Sequence, residues 1–169
     1  MRPETRFALF IFALSVIWRT GLYMAGFADS ALGNYPLLPI FGFLLIGMFR
    51  GINERRKLDY ADGVPFLPAF KTGMSIATLF TLMYTLFIYF YITQIDYDFK
   101  GRFIASRVAD LRKNHTPEVD ITAWINGADK FPFEMTWVLF TFIGLMVISV
   151  FYAGAIGRMM AKKYPAVKA

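Results

Sequence analysis

From Thr72 to Ile95 the chain carries no charged side chain. A bilayer-spanning helix needs ~20 predominantly apolar residues, and this run has 24. It is entered through Asp62-Gly63-Val64-Pro65-Phe66-Leu67-Pro68-Ala69-Phe70-Lys71, a broken, aromatic segment with a basic end. Pro65 and Pro68 disfavour helix just before them, so the helix is expected to start near Ala69. Phe66 and Phe70 suit the membrane interface, with Lys71 among the head groups.

The remaining chain repeats the pattern. It is 57% hydrophobic and 18% charged, against about half and a quarter in soluble domains, and its charges come in blocks. The expected fold class is an all-α integral membrane protein, one membrane domain over residues 1–169. Four spans are expected at about 7–27, 37–52, 70–95 and 133–157, with a polar helical hairpin over 96–132 between the third and fourth.

The first apolar run, Phe7 to Phe27, is too long for a signal peptide and holds an arginine, so it reads as a retained span. Arg19 is its odd residue: a mid-helix charge costs about 2.5–3.5 kcal/mol on insertion scales, so it is expected to face the bundle or snorkel. A short turn with Gly33, Asn34 and Pro36 leads to the second span, which has Pro39 in its first turn. There Gly47 and Gly51 form a GxxxG pair that permits close helix approach. Ser75, Thr78, Thr81 and Thr85 recur at helical spacing along the third span, the pattern of interhelical hydroxyl bonding or of a polar path. In the fourth span Ser149, Ala153 and Gly157 make a small-residue ridge.

Between the last two spans, Phe99, Phe103, Ile104, Val108 and Leu111 share one helical face. Asn114 and His115 end that helix. Thr116 is expected to cap a second one, with Pro117 in its first position, Glu118 near its positive end, and Asn126-Gly127 as its stop. Asp96 and Asp98 read as helix-end charges in water. Trp137 falls in the interfacial belt.

Orientation follows from the basic residues. Arg2, Arg6, Arg50, Arg55, Arg56, Lys57, Lys71, Arg158, Lys162, Lys163 and Lys168 fall on one side of such a topology. The other side holds six, balanced by six acidic residues in the hairpin. The positive-inside rule then places both termini in the cytoplasm and the hairpin outside. With the amino end inside, Arg19 lies ~12 Å below the outer end of its span, farther than a guanidinium snorkels. Glu134, opening the fourth span on that side, is its expected partner, with Asp29 and Asp96 as rivals.

The order of elements, with Gly63-Val64-Pro65-Phe66-x-x-Ala69-Phe70-x-x-Gly73 before the long span, resembles the four-helix membrane proteins of Bacteroidota grouped as domain-of-unknown-function family 4199. The resemblance covers nearly the whole chain. Pro65 stands where that family tends to carry a small hydroxyl residue. The resemblance implies a bacterial inner membrane and no particular activity.

Several chemistries lack their residues. Without Cys there is no disulfide, thiolate metal site or Cys nucleophile. The single His115 has no nucleophile motif or ligand partners around it, and no glycine-rich phosphate loop is present. Basic loops beside apolar spans account for the net charge of +6 without nucleic acid. No enzyme activity, cofactor or metal is expected. The expected role is a scaffold or accessory subunit that meets another membrane protein, or a second copy, within the lipid bilayer. The alternative is a small oligomeric transporter or channel, with Arg19, Thr78, Thr81, Thr85 and Glu134 as its intramembrane polar site.

Overall fold

The computed structural model describes residues 1–27, 37–60 and 63–163, apart from the side chain of Asp129. The turn expected at Asp29–Pro36, together with Asp62 and Lys168, lies outside the described residues. Among the described residues six α-helices follow in order: α1 (Pro3–Met24), α2 (Leu37–Asp59), α3 (Phe66–Phe90), α4 (Phe99–Lys113), α5 (Glu118–Lys130) and α6 (Phe133–Lys163). One turn of π-helix, Tyr91–Ile95, continues α3. No strand occurs among the described residues.

Among the described residues four segments are long and apolar enough to cross a membrane: Pro3–Met24, Leu37–Asp59, Phe66–Ile95 and Phe133–Lys163. Together they mark a multi-pass membrane protein. Large apolar side chains stand exposed along them, among them Phe10, Ile17, Ile46, Val147 and Phe151. Such surface would drive association in water and suits lipid.

Helix ends depart from expectation where local capping outweighs hydropathy. α1 stops at Met24 because Gly26, at φ +72°, takes the left-handed position after the cap. The Phe27 N–H then reaches back to the Leu22 carbonyl and the Gly26 N–H to that of Tyr23. α2 continues past Ile52 to Asp59, since charge limits the buried part of a helix and not the helix itself. Arg56 and Lys57 in its last turn suit the negative helix end, and Arg55 lies 2.6 Å from Asp59 one turn on. α3 starts at Phe66, earlier than expected. Gly63 supplies a φ of +128°, the Pro65 carbonyl accepts the Ala69 N–H, and Pro68 sits in the first turn, where a missing N–H costs little.

Contacts divide the chain into two compact units, Met1–Tyr84 with Phe142–Ala169, and Thr85–Thr141. In the first, α1 packs antiparallel to α2: Arg6 pairs with Glu54, and Arg55 Nε lies 3.8 Å from Glu4. Gly51 faces both Phe7 of α1 and Ile76 of α3, and Gly157 of α6 faces Phe66 and Phe70. The start of α1, the end of α2, the start of α3 and the end of α6 therefore gather at one end, and the basic residues of those segments gather with them. Ile11, Leu44, Met48, Ile76, Phe80, Tyr84 and Leu145 fill the core.

In the second unit α4 packs on α5, with Val108 and Ile121 buried. His115, at φ +58°, makes the turn between them. Two expectations are corrected here. The residue before α5 is Pro117, not Thr116, and no side chain caps it; Thr116 instead closes the preceding turn through its N–H to Leu111. Asn126-Gly127 does not stop α5, which runs to Lys130. A helical glycine costs only about 1 kcal/mol, and the break comes at Pro132, which lacks an N–H to donate.

Candidate functional site

Of the polar residues singled out within the spans, Arg19, Thr78 and Thr81 belong to the first unit and Thr85 and Glu134 to the second. Arg19 is only 6% exposed and lies on the buried side of α1 with Ile11, Ser15 and Leu22. The Ser15 hydroxyl is satisfied locally, donating to the Ile11 carbonyl at 2.8 Å. Thr81 is buried in the first unit, Thr78 is half-buried and Ser75 exposed. Thr85 is buried and Glu134 half-buried, both in the second unit. The hydroxyl spacing of three and four thus divides: Thr81 joins Ala69, Gly73, Ile76, Ala77, Phe80 and Tyr84 on the core side of α3, with Thr78 at its margin and Ser75 outside it.

The small residues pack against this chain's own helices. Any side chain on Gly47 would run into Ile11, and on Gly51 into Ile76. Ser149 and Ala153 are fully buried, the Ser149 hydroxyl donating to the Leu145 carbonyl at 2.6 Å. A Cβ on Gly157 would meet the Phe66 ring and the Phe70 backbone nitrogen at 3.4 Å. Gly73 is tighter: its Cβ would stand 3.2 Å from Ala153, Ile52 and Met48. The Gly63–Gly73 segment is thereby explained residue by residue. Gly63 permits the turn, Phe66 and Phe70 lie tilted with centroids 5.9 Å apart beside Gly157, Ala69 is buried, and Gly73 lets α6 and α2 approach.

The second unit holds what hydropathy missed. Asp96, expected in water, is 1% exposed. Its Oδ2 accepts the Tyr91 hydroxyl at 3.1 Å, and both its oxygens lie within 2.7 Å of Arg102 Nη2. The π-turn makes this possible: the Asp96 N–H bonds the Tyr91 carbonyl at 2.8 Å, which swings the carboxylate under α4. The sequence signal was an aspartate closing an uncharged run, with an arginine six residues on. The carboxylate is fully committed to its donors, so this triad ties the end of α3 to α4.

Beside it, Phe99, Phe103, Phe133 and Trp137 form an aromatic cluster with ring centroids 5.0–6.0 Å apart. A cleft of about 460 Å³ opens next to them, walled by Phe103 and Ile104 of α4, Trp124, Gly127 and Ala128 of α5, Phe131, and Phe133, Thr136, Trp137 and Phe140 of α6. Phe131 is 52% exposed and Phe140 70%. Among the described side chains that wall the cleft, only Thr136 and the two tryptophans carry a polar atom. Its chemistry, as far as the described side chains supply it, is burial of an apolar group. No group of three or more His, Cys, Asp or Glu suited to a metal occurs among the described residues.

A family model described as protein of unknown function, DUF4199, matches residues 6–162. No curated protein and no solved structure matches the chain.

Proposed function

The chain belongs to this family of unknown function, and we propose that it is a non-enzymatic scaffold or accessory subunit of a membrane complex. The observation that carries this reading is the aromatic cleft of the second unit. Exposed Phe103, Phe131 and Phe140 beside half-buried Trp124 and Trp137 have the composition of a protein interface core, where aromatic anchors dominate binding. The small-residue ridges already meet this chain's own helices, which leaves the cleft as the better contact for another membrane protein. Large side chains fill the core of the first unit where a permeation path would run, so the transporter reading has less support.

The same proposal includes placement. The basic end of the first unit faces the cytoplasm with both termini, in the inner membrane of a bacterium of the Bacteroidota kind, and α4 and α5 form an extra-cytoplasmic hairpin. The test is purification in mild detergent after cross-linking from the native membrane. A defined partner that co-migrates with the wild type, and is lost on Trp124→Ala or Phe131→Asp, supports the reading. Unchanged recovery in both variants overturns the cleft as the contact, and solute flux through the purified protein in liposomes overturns the class.

A further inference from the structure

A second groove, about 650 Å³, lies in the first unit between the starts of α1 and α3, at the basic end. Its α3 wall carries Lys71, Ser75 and Leu79, spaced four apart on one helical face, with Thr78 beside them. From Lys71 to Leu79 that face descends ~12 Å at the helical rise. The α1 wall begins with Arg2 and Thr5, and Leu9, one turn on, is 41% exposed. Both walls therefore grade in the same direction, from a cation through hydroxyls to leucine. That is the polarity profile of a glycerophospholipid, from phosphate through glycerol to acyl chain.

The charges are available for a ligand. Neither the Arg2 nor the Lys71 side chain bonds another described residue, whereas the other cations near the start of α1 are engaged: Arg6 with Glu54, and Arg55 with Asp59 and Glu4. Glu4 also lines the groove. Arg2, Lys71 and Glu4 together leave one positive charge, which matches a single phosphodiester. Below the hydroxyls the groove continues onto the exposed apolar surface of α1 and α3, at Phe10, Leu79 and Leu82.

We propose that this groove is a binding site for one anionic glycerophospholipid, its phosphate held by Arg2 and Lys71, its glycerol region by Thr5, Ser75 and Thr78, and its acyl chains laid along α1 and α3. Basic pockets between spans bind anionic head groups in this manner, each Lys or Arg near the head group contributing about fivefold in affinity. The site is independent of the cleft and of any protein partner.

The experiment is native mass spectrometry of the full chain in detergent, titrated with phosphatidylglycerol or with phosphatidylcholine of the same chains. One phosphatidylglycerol should be retained in preference to phosphatidylcholine. Arg2→Gln with Lys71→Gln should weaken it roughly thirtyfold. Arg158→Gln with Lys162→Gln, an equal loss of charge away from the groove, should leave it unchanged. Ser75→Trp, which fills the groove from an exposed position without altering charge, should abolish retention while thermal unfolding matches the wild type. Equal retention of both lipids, equal weakening by the two charge pairs, full retention by Ser75→Trp, or competition by millimolar inorganic phosphate alone would each overturn the proposal.

Discussion

Arg102 Nη2 lies 2.6 and 2.7 Å from the two oxygens of Asp96, a carboxylate almost wholly shut off from solvent. The pair sits where the third span gives way to the polar helices, with the Tyr91 hydroxyl as a further donor. Removing one member of such a cluster leaves the others with a desolvation cost and no return. Asp96→Ala should therefore destabilise the protein by about 2–3 kcal/mol, in the range for hydrogen bonds to charged groups. Tyr91→Phe should cost about 1 kcal/mol, and Asp98→Ala, at an exposed neighbour, close to nothing. Thermal unfolding in detergent checks the ranking; equal effects at positions 96 and 98 would remove the triad's structural role.

Gly47 and Gly157 differ in how much room they have. Ile11 already occupies the space a Cβ on Gly47 would need, whereas Gly157 has ordinary contact distances of 3.4–3.5 Å. Gly47→Ala should cost about 1–3 kcal/mol, as overpacking does, and Gly157→Ala less. Gly157→Leu should be strongly destabilising, and Val147→Leu, at an exposed position, neutral. Ile11→Ala should partly rescue Gly47→Ala but not Gly157→Ala, a coupling that a double-mutant cycle measures directly.

Arg112 and Glu118 clamp the turn between α4 and α5, with Nε–Oε1 at 2.9 Å. The hydrogen bond from Arg112 holds the Glu118 carboxyl below the usual glutamate range, assisted by its charge and opposed by slight desolvation. A carboxylate depressed in the folded state contributes stability that is present above the ordinary glutamate value and lost as pH falls through the folded one. Both groups are in water, so the contribution is small. The stability difference between wild type and Glu118→Gln should be constant at neutral pH and shrink on acidification. In an Arg112→Gln background that pH dependence should disappear.

With no native Cys, single-cysteine labelling reads topology directly. Ser106→Cys, at an exposed position on α4, should react with an impermeant maleimide from outside the cell. Lys57→Cys, exposed at the end of α2, should react only after the membrane is opened. The opposite pattern would reverse the proposed orientation.

Arg19→Leu tests the intramembrane charge. Arg19 is 6% exposed on the inward side of α1, so its replacement by leucine removes a desolvated cation at little loss of volume. Arg19→Ala also leaves a cavity and should cost about 2–5 kcal/mol, and Arg19→Leu, which fills that space, should cost less. A stability loss from Arg19→Leu as large as that from Arg19→Ala would show that the guanidinium itself holds the bundle together.

The four spans were legible because insertion into lipid depends on summed local hydropathy, a property of consecutive residues. The uncharged run Thr72–Ile95 announced itself in that way, and the basic blocks at Arg55–Lys57 and Lys162–Lys163 followed the same local logic. What no local sum contains is which neighbour each side chain meets. Ser75 and Thr81 look alike in a helical stripe, yet one faces outward and the other is buried, because the direction of the core depends on α1, α2 and α6. Gly73 reads as one more glycine until Ala153, eighty residues on, is found against it. Asp96 looks like a helix-end charge in water until a π-turn carries it beneath Arg102. Hydropathy fixes which segments enter the bilayer; the burial of single polar groups and the fit of single glycines depend on atoms brought together from distant parts of the chain, and those only the tertiary structure supplies.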